Sequence, residues 1–370
     1  MRKKVFYFHH HVAIASLVTL VLASIYQSYY PLPEASANTV TIIVDTENTI
    51  SLAEIPCGNP TAENEDCGIG QIMYYLDFYL QSPANAINKQ FKVTMGSNVH
   101  RINLDRPITL AFPRACTNCS LEIDGLDSSG QKIPVISSSS NTMPTKPATG
   151  FVMNDNNIPI TIKNFTFQGF SDTAVKIENI TNAIATVSDN AFGSIDSNTQ
   201  TSTHGLTITN ASNAVINGNV FAGHAGDAML ISGSNTTNLQ LTNNSFGVRS
   251  RSNLASSLTE NQGNALLINN NAHDIIIDDT NTFANSRNNG IRLDGTRNIA
   301  ITGGTLFFNN QGQAISLVNG ANNNISANVL TSAEKQGSTL IVNGSGTSGA
   351  IVNFYQANNS TNPTVTADIN

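Results

Sequence analysis

The feature that most constrains this chain is the recurrence of a short motif, apolar-x-x-Asn-x-Phe, along its last two-thirds. Its clearest copies are Val187–Phe192, Ile216–Phe221 and Leu241–Phe246. Weaker copies are Ile162–Phe167 (with Phe165 in the Asn position), Asn281–Phe283, Ile301–Leu306 (with Gly304 replacing Asn) and Ile325–Leu330. The closing apolar residues lie at 167, 192, 221, 246, 283, 306 and 330, with gaps of 25, 29, 25, 37, 23 and 24. A period in this range is typical of repeat architectures.

A second motif, small-apolar-x-apolar, keeps the same period between copies of the first. Its copies are Ala174–Ile177, Gly205–Ile208, Ala228–Ile231, Ala265–Ile268, Gly290–Leu293 and Ala314–Leu317. Each segment has the alternation of a short strand, and the period leaves no room for a crossover helix. The sequence therefore predicts an all-β solenoid of about eight or more stacked coils. Alternation points Val175, Ile177, Leu206, Ile208, Ile291 and Leu293 inward, and Lys176, Thr207 and Arg292 outward.

The recurrent Asn has a physical explanation in such a coil. A corner between strands needs a residue that tolerates left-handed φ, and Asn tolerates it better than most residues. At the same corner of every coil, one amide can also bond the next. The sequence thus predicts a structural ladder, with the Phe two residues later filling the interior beside it. Its members are Asn190, Asn219, Asn244, Asn281 and Asn328.

These motifs resemble those of right-handed parallel β-helix proteins, the pectate-lyase-like superfamily that includes many bacterial surface proteins. The resemblance covers roughly residues 90–350. Upstream, Ile69, Ile72, Met73, Leu76 and Leu80 have helical spacing and resemble the capping helix of secreted bacterial β-helix proteins, before first strands at Val99–Leu104, Ile108–Leu110 and Leu121–Gly125. We expect a signal peptide at 1–37, a cap and first coils at 38–150, β-helix repeats at 151–350 and a tail at 351–370.

The N-terminus has the pattern of an export signal. Arg2, Lys3 and Lys4 precede the apolar run Val12–Ile25, and Ala35–Ala37 fits a small-x-small cleavage site. The run is shorter than the ~20 residues of a spanning helix, although an uncleaved anchor is the alternative. No second long apolar run follows, which predicts no membrane span after signal removal. A secreted, periplasmic or cell-surface location is expected.

Four cysteines, Cys57, Cys67, Cys116 and Cys119, precede the repeats. Export favours structural disulfides, and four cysteines allow three pairings, of which Cys57–Cys67 with Cys116–Cys119 is the most local. The Cys-x-x-Cys spacing is also that of half a zinc knuckle or of a redox dithiol.

Candidate chemistry lies where two coils are oversized. The extra residues, Gly193–Thr203 and Gly247–Asn261, enter at one corner, so both loops are expected to project from one side. Insertions on one face of an array often mark the binding face, and drift in surface loops is the alternative. Nearby, His204, Asp227, His224 and Arg249 are the candidate catalytic residues: stacking brings His204 beside Asp227, which could raise its pKa for acid–base work. The alternative is a polar corner column made with Asn264, Asn289 and Gln313.

Outward side chains supply the candidate binding residues Lys176, Arg292 and Asp294. For lyases of this superfamily, the resemblance implies a basic residue that abstracts a proton and a calcium ion held by carboxylates. For the related hydrolases, it implies four sequence elements: Asn-Thr-Asp, a pair of Asp residues, Gly-His-Gly and Arg-Ile-Lys. Here Gly223–Gly226 only partly matches the third element, and no Asn-Thr-Asp occurs. Asp278 and Asp279, with Asp274, could hold a cation through oxygen ligands, or they are solvated acids at a strand end. No cofactor is predicted other than this calcium ion.

The composition and net charge of the chain limit the classes of partner that it is expected to bind. The formal charge of −7 disfavours a nucleic-acid partner, which needs a basic face. Charged residues are 12% and apolar residues 40% of the chain, which argues against disorder. The first hypothesis is a non-catalytic secreted or surface protein that binds a polysaccharide or another surface component. The second is a polysaccharide lyase or glycosidase acting on an acidic polysaccharide, and the third is an adhesin or passenger. The sequence carries no prediction of oligomeric state.

Overall fold

The fold is built from three parallel sheets that run the length of the molecule. The computed structural model describes residues 39–47, 67–80, 88–112, 116, 118–137, 146–193, 202–252, 258–302 and 304–324, and four strands beyond them. The first sheet consists of β1 (Thr39–Val44), β2 (Gln90–Met95), β5 (Ser120–Asp124), β8 (Ile160–Lys163), β11 (Ala185–Ser188), β14 (Val215–Asn217), β17 (Thr237–Thr242), β20 (His273–Ile277) and β23 (Arg297–Ile301).

The other two sheets complete each coil. The second sheet consists of β3 (Ile102–Leu104), β6 (Ile133–Ser137), β9 (Phe165–Gln168), β12 (Ala191–Gly193), β15 (Val220–Ala222), β18 (Ser245–Phe246), β21 (Thr282–Ala284) and β24 (Leu306–Phe308). The third consists of β4 (Ile108–Leu110), β7 (Thr149–Asn154), β10 (Thr173–Glu178), β13 (His204–Thr209), β16 (Met229–Ser232), β19 (Leu266–Asn269), β22 (Ile291–Asp294) and β25 (Ile315–Val318). The chain is therefore a right-handed parallel β-helix, as the repeat predicted.

Strand register confirms the predicted division of inward and outward residues. Val175 pairs with Leu206, and Ile177 pairs with Ile208, and all four are fully buried. Lys176 and Thr207 pair on the opposite side of the same strands. Because each coil lays its apolar residues on those of the next, one continuous core fills the solenoid.

Phenylalanine rings form a column behind the second sheet. Phe192 stacks on Phe221 at a ring-centroid distance of 4.8 Å, and Phe221 stacks on Phe246 at 4.7 Å. The column continues through Phe283 to Phe307. The interior aromatic predicted for each repeat is thus in place, and each pair contributes about 0.5–1.5 kcal/mol beyond its buried area.

Two details of the repeat differ from the prediction. The left-handed residue is not the recurrent Asn but the residue before it: Asp189, Gly218 and Asn243 have φ of 55°, 69° and 52°. The coil at 301–306 is also shifted by one position, since Phe283 pairs with Phe307. Gly304, at φ 101°, therefore takes the left-handed position and not the Asn position.

A helix, α1 (Ile69–Leu80), closes the N-terminal end of the core. Ile69, Ile72 and Leu76 are at most 1% exposed, as the cap prediction requires. Cys67 is buried just before it, while its expected partner Cys57 lies outside the described residues, as do 1–37 with the signal sequence. Cys116 and Cys119 form a disulfide. No described helix has the length and hydropathy needed to cross a membrane.

The C-terminal end departs from the predicted repeats. In the described part of the chain, the three sheets end with β25, after which a short helix, α2 (Ala321–Asn324), packs against β23. Two antiparallel hairpins follow, β26 (Val329–Gln336) with β27 (Thr339–Ser345) and β28 (Val352–Phe354) with β29 (Ala367–Ile369). The repeat expected at Ile325–Leu330 thus ends in an antiparallel strand, and Asn328 lies outside the described residues.

Candidate functional site

The corner between the first and second sheets carries the Asn ladder. The main-chain N–H of Asn190 donates to Asn219 Oδ1 at 3.0 Å, and that of Asn219 donates to Asn244 Oδ1 at 3.1 Å. Asn244 donates in the same way to Asn281 Oδ1 at 3.0 Å. All four side chains are fully buried, so this column can stabilise the coils but cannot contact a ligand.

A second column of polar residues stands at the start of the third sheet's strands. Its members, here called the corner column, are His204, Asp227, Asn264, Asn289 and Gln313. Asn264 donates from its main-chain N and its Nδ2 to Asp227 Oδ1, at 2.7 and 2.6 Å. Asn289 Nδ2 donates to Asn264 Oδ1 at 2.8 Å, and the main-chain N of Gln313 donates to Asn289 Oδ1 at 2.9 Å.

His204 and Asp227 are neighbours but do not form the acid–base pair that was expected. His204 Nδ1 lies 2.6 Å from the main-chain oxygen of Asp227, and because a carbonyl oxygen only accepts, Nδ1 donates. The Asp227 carboxylate accepts from Asn264 instead. Both residues therefore act as members of a corner column that satisfies main-chain groups.

His224 does not fit a catalytic role, because its side chain is fully buried. Its Nδ1 lies 2.9 Å from Ser202 Oγ, and its main-chain N–H donates to Asn261 Oδ1 at 3.2 Å. Burial, followed by the nearby charge of His204, lowers the pKa of His224 to about 3. The ring is therefore neutral at ordinary pH and cannot reach a substrate in solvent.

The described parts of the loop at 247–261, residues 247–252 and 258–261, contact the second sheet and the corner where it begins. The guanidinium of Arg251 donates to the main-chain oxygens of Asp279 and of Gly304, the latter at 2.6 Å, and both oxygens belong to the corner where the second sheet begins. Val248 and Leu258 are buried, and so is Thr282, although Thr282 points away from the core. Arg249 is exposed at the start of this loop, whereas the side chain of His224 is fully buried. The central part of the other loop, 194–201, lies outside the described residues.

The outer face of the third sheet carries the predicted binding residues, each with a partner. Lys176 Nζ lies 2.7 Å from Glu178 Oε2, and Arg292 Nη2 lies 3.0 Å from Asp294 Oδ2. Hydrogen bonding from Asn319 and then from Arg292 lowers the pKa of Asp294. The register places Lys176 and Arg292 four strands apart, or about 19 Å at the usual strand spacing.

Between the two ion pairs lies a flat band of uncharged side chains. The register aligns Thr207, Leu230 and Leu267 in one row, and Thr209, Ser232 and Asn269 in the next. Leu230 and Leu267 are half-buried, since neighbouring strands cover their sides and leave their tips accessible. The band presents the side chains of Leu230 and Leu267 beside those of Thr209, Ser232 and Asn269. Thr207 is buried, and its Oγ1 and Asn269 Oδ1 are closed to solvent.

The acids considered for calcium do not converge. Asp274 is the second residue of β20, and Asp278 follows the other end of that strand. Asp274 contacts His273 Nδ1 at 2.6 Å and Asn298 Nδ2 at 2.9 Å, and bonding from Asn298 and then His273 lowers its pKa. Asp278 Oδ1 accepts from Asn281 Nδ2 at 3.0 Å. Within the described ranges, no three His, Cys, Asp or Glu side chains are grouped for a metal.

A cavity that sequence reasoning missed lies between α1 and β4 and is here called the cap cavity. It has a volume of about 230 Å³. Gly70, Met73, Tyr74 and Asp77 line it from the helix, at the i, i+3, i+4, i+7 spacing of a single face. Arg106, Pro107, Ile108, Thr109, Ala111 and Phe112 line it from the strand. That helical spacing was a readable signal, but the sequence does not say what lies opposite the face.

Comparison with known proteins assigns the chain to no family. No family model matches the chain, and no curated protein matches it. Among solved structures, ORF18 of Geobacillus virus E2 matches with a TM-score of 0.33 and 14% identity, over 76% of this chain and 69% of that one. The A-module of the Azotobacter vinelandii mannuronan C-5 epimerase AlgE6 matches with a TM-score of 0.31 and 12% identity, over 79% and 92%.

A third similar structure is the Streptococcus pneumoniae surface protein and adhesin PfbA. It matches with a TM-score of 0.28 and 13% identity, over 63% of this chain and 87% of that one. At these scores the likeness concerns the fold alone.

Proposed function

We propose that this protein is an exported, non-catalytic β-helix that binds an uncharged glycan along the outer face of the third sheet. The observation that carries the proposal is the uncharged band between two ion pairs, in which Leu230, Leu267, Thr209, Ser232 and Asn269 are partly exposed. The band follows the solenoid axis, and the two cations that flank it are about 19 Å apart, which suits a linear polymer.

The charges of the face favour a neutral ligand over an acidic one. Each cation on the face, Lys176 and Arg292, has a carboxylate partner two residues along its own strand. The chain as a whole has a formal charge of −7, which repels polyanions at long range. An acidic polysaccharide therefore gains little electrostatic attraction from this face.

The side chains of the band match the surface of a sugar polymer. The hydroxyls of Thr209 and Ser232 both donate and accept hydrogen bonds, as sugar hydroxyls do. Leu230 and Leu267 offer apolar surface to the C–H faces of sugar rings. All of these groups stand on hydrogen-bonded strands, so little side-chain and main-chain freedom is lost on binding.

The arrangement of the candidate catalytic residues supports a binding role. Asp227 accepts bonds from Asn264, and His204 donates to a main-chain oxygen. His224 is buried. The disulfide Cys116–Cys119 fits an oxidising compartment. Export by the 1–37 signal predicts a mature N-terminus at Asn38, which mass spectrometry of the secreted protein measures.

The test is binding to an array of neutral and acidic glycans. We expect binding to neutral glycans that changes less than twofold between 0.1 and 1 M salt, because uncharged contacts are not screened. The double variant Leu230→Lys/Leu267→Lys should bind at least tenfold more weakly. Ile276→Lys is the matched control, since Ile276 is an exposed apolar residue on the outer face of the first sheet.

Two results contradict the proposal. One is an array on which the protein binds no glycan, or on which the double variant binds like the wild type. The other is release of reducing ends or unsaturated products from any array glycan, with or without calcium, that disappears in His204→Ala or Asp227→Ala. The second result makes the protein an enzyme.

A further inference from the structure

We propose that the cap cavity binds one neutral sugar ring at the end of a glycan chain. This inference rests on the proposed function, because it assigns the place where a glycan lying on the third sheet ends. It also predicts monosaccharide binding, which is measurable separately.

The cap cavity has the size and shape of a small-ring site. Its volume of about 230 Å³ is below the ~300 Å³ at which pockets for drug-sized ligands begin. Helix α1 forms one wall, and the edge strand β4 with the residues just before and after it forms the other. A single ring fits there, and the helix stops a chain from continuing past it.

An exposed aromatic ring lines this cavity. Tyr74 is 55% exposed, the largest exposed fraction of any large hydrophobic residue in the described ranges. Its neighbour Tyr75 points into the core and is 4% exposed. A solvent-facing ring against a cavity suits the C–H face of a sugar, which carries partial positive charge opposite the negative face of the aromatic ring.

Polar groups on both sides of the cavity suit the hydroxyls of a sugar. Arg106 Nε donates to Asp105 Oδ1 at 3.1 Å, and Asp105 is 7% exposed, so this pair fixes the direction of the guanidinium. Asp77 and Thr109 complete the polar lining. Because Arg106 is already paired and Asp77 is acidic, a sugar carboxylate is disfavoured and a neutral ring is favoured.

The cap cavity is continuous with the proposed glycan-binding face. Thr109 pairs with Val152, which pairs with Lys176, the cation that flanks the uncharged band. Two strand spacings, about 10 Å, therefore separate the cavity from that residue. A polymer on the outer face reaches the cavity by following the same row.

The experiment measures binding of methyl glycosides to the full exported chain by saturation-transfer NMR and calorimetry. The probes are the methyl glycosides of glucose, galactose, mannose, N-acetylglucosamine and glucuronic acid. We expect at least one neutral probe to bind, and the glucuronide to bind at least fivefold more weakly. Tyr74→Ala should weaken binding at least tenfold and Tyr74→Phe less than threefold.

Matched controls separate the cavity from the face. Ile184→Ala removes another exposed apolar side chain and should leave monosaccharide binding unchanged. So should Ile276→Lys, on the outer face of the first sheet. We expect the Tyr74→Ala variant to have the same melting temperature as the wild type, because the Tyr74 side chain lies largely in solvent.

The outcomes distinguish the two proposals. If no methyl glycoside binds, or if Tyr74→Ala binds like the wild type, the cavity assignment is overturned, while array binding that depends on Leu230 and Leu267 leaves the face intact. If the monosaccharide binds in a Tyr74-dependent manner and no array glycan binds, the ring site is supported and the extended glycan face fails.

Discussion

Two columns of stacked polar side chains run along this β-helix, and they obey different rules. The Asn ladder between the first and second sheets is fully buried, and its four described members are all Asn. The corner column at the start of the third sheet is partly exposed and mixes His, Asp, Asn and Gln. In the buried column every hydrogen-bond donor and acceptor needs a protein partner, and this requirement favours one residue type. In the exposed column water can form the hydrogen bonds that a protein group does not form, so several polar residue types are tolerated.

The largest expected effect separates the two columns directly. Asn219→Ala leaves the main-chain N–H of Asn190 and the oxygen of Val187 without their partner. With two buried groups unsatisfied, we expect a loss of about 3 kcal/mol or more in the free energy of unfolding. Asn289→Ala in the corner column should cost about 1 kcal/mol. Urea denaturation followed by circular dichroism measures both, and equal losses contradict the distinction.

The second prediction concerns pH and the buried His224 beside the corner column. Its pKa is about 3 in the folded protein and about 6.5 when unfolded. Between these values the unfolded chain binds the extra proton, so stability is full above pH 6.5 and falls as the pH drops toward 3. The slope from this residue approaches about 1.4 kcal/mol per pH unit.

The variant His224→Gln isolates that contribution, because glutamine stays neutral. Stability of this variant, relative to its own value at pH 7.5, should fall less between pH 6.5 and 5 than that of the wild type. Identical slopes in denaturation curves over that interval assign the pH dependence to other groups.

A third, smaller effect tests whether Asp227 serves as a charge or as an acceptor. Its Oδ1 accepts two bonds from Asn264. Asp227→Asn keeps an acceptor and should change the free energy of unfolding by less than about 0.5 kcal/mol, whereas Asp227→Ala should cost about 1–2 kcal/mol. Thermal denaturation at pH 7 distinguishes them, and a large loss in Asp227→Asn makes the charge itself important.

The smallest expected effect is at Arg251, which ties the loop at 247–261 to the second sheet. Because its side chain is exposed, Arg251→Ala should cost less than about 1 kcal/mol. Local opening should nevertheless speed cleavage between residues 247 and 261 by thermolysin. Arg297→Ala, at another exposed arginine, is the control, and equal cleavage rates show that Arg251 does not hold the loop.

Much of the fold was readable because its signals are local. Alternation placed Val175 and Ile177 inside, and the spacing of Phe192, Phe221 and Phe246 predicted the aromatic column. The same reasoning assigned the left-handed position to the ladder Asn, although it belongs to the preceding residue, because one corner needs both a turn residue and a bonding residue. It also misaligned Phe307 by one position, since two Phe residues follow each other there.

The candidate site was less readable because it depends on where distant segments meet. The Asp227 carboxylate bonds Asn264 and not the ring of His204, because its oxygen faces the coil that carries Asn264. Arg251 donates a hydrogen bond to the main-chain oxygen of Gly304, 53 residues away, and no residue pattern in the loop predicts that contact. The cap cavity needs α1 and the edge of β4 together.

The sequence by itself determined the stacked coils, the inward and outward residues, the Asn ladder and the helix at the N-terminal end. These follow from periodicities of a few residues and from the need of each coil to bury its apolar side against the next. Only the tertiary structure decided which carboxylate meets which cation, that Arg251 bonds the Gly304 oxygen and that a cavity stands beside Tyr74. Such features depend on contacts between residues far apart in the chain, and no local pattern encodes the distance between them.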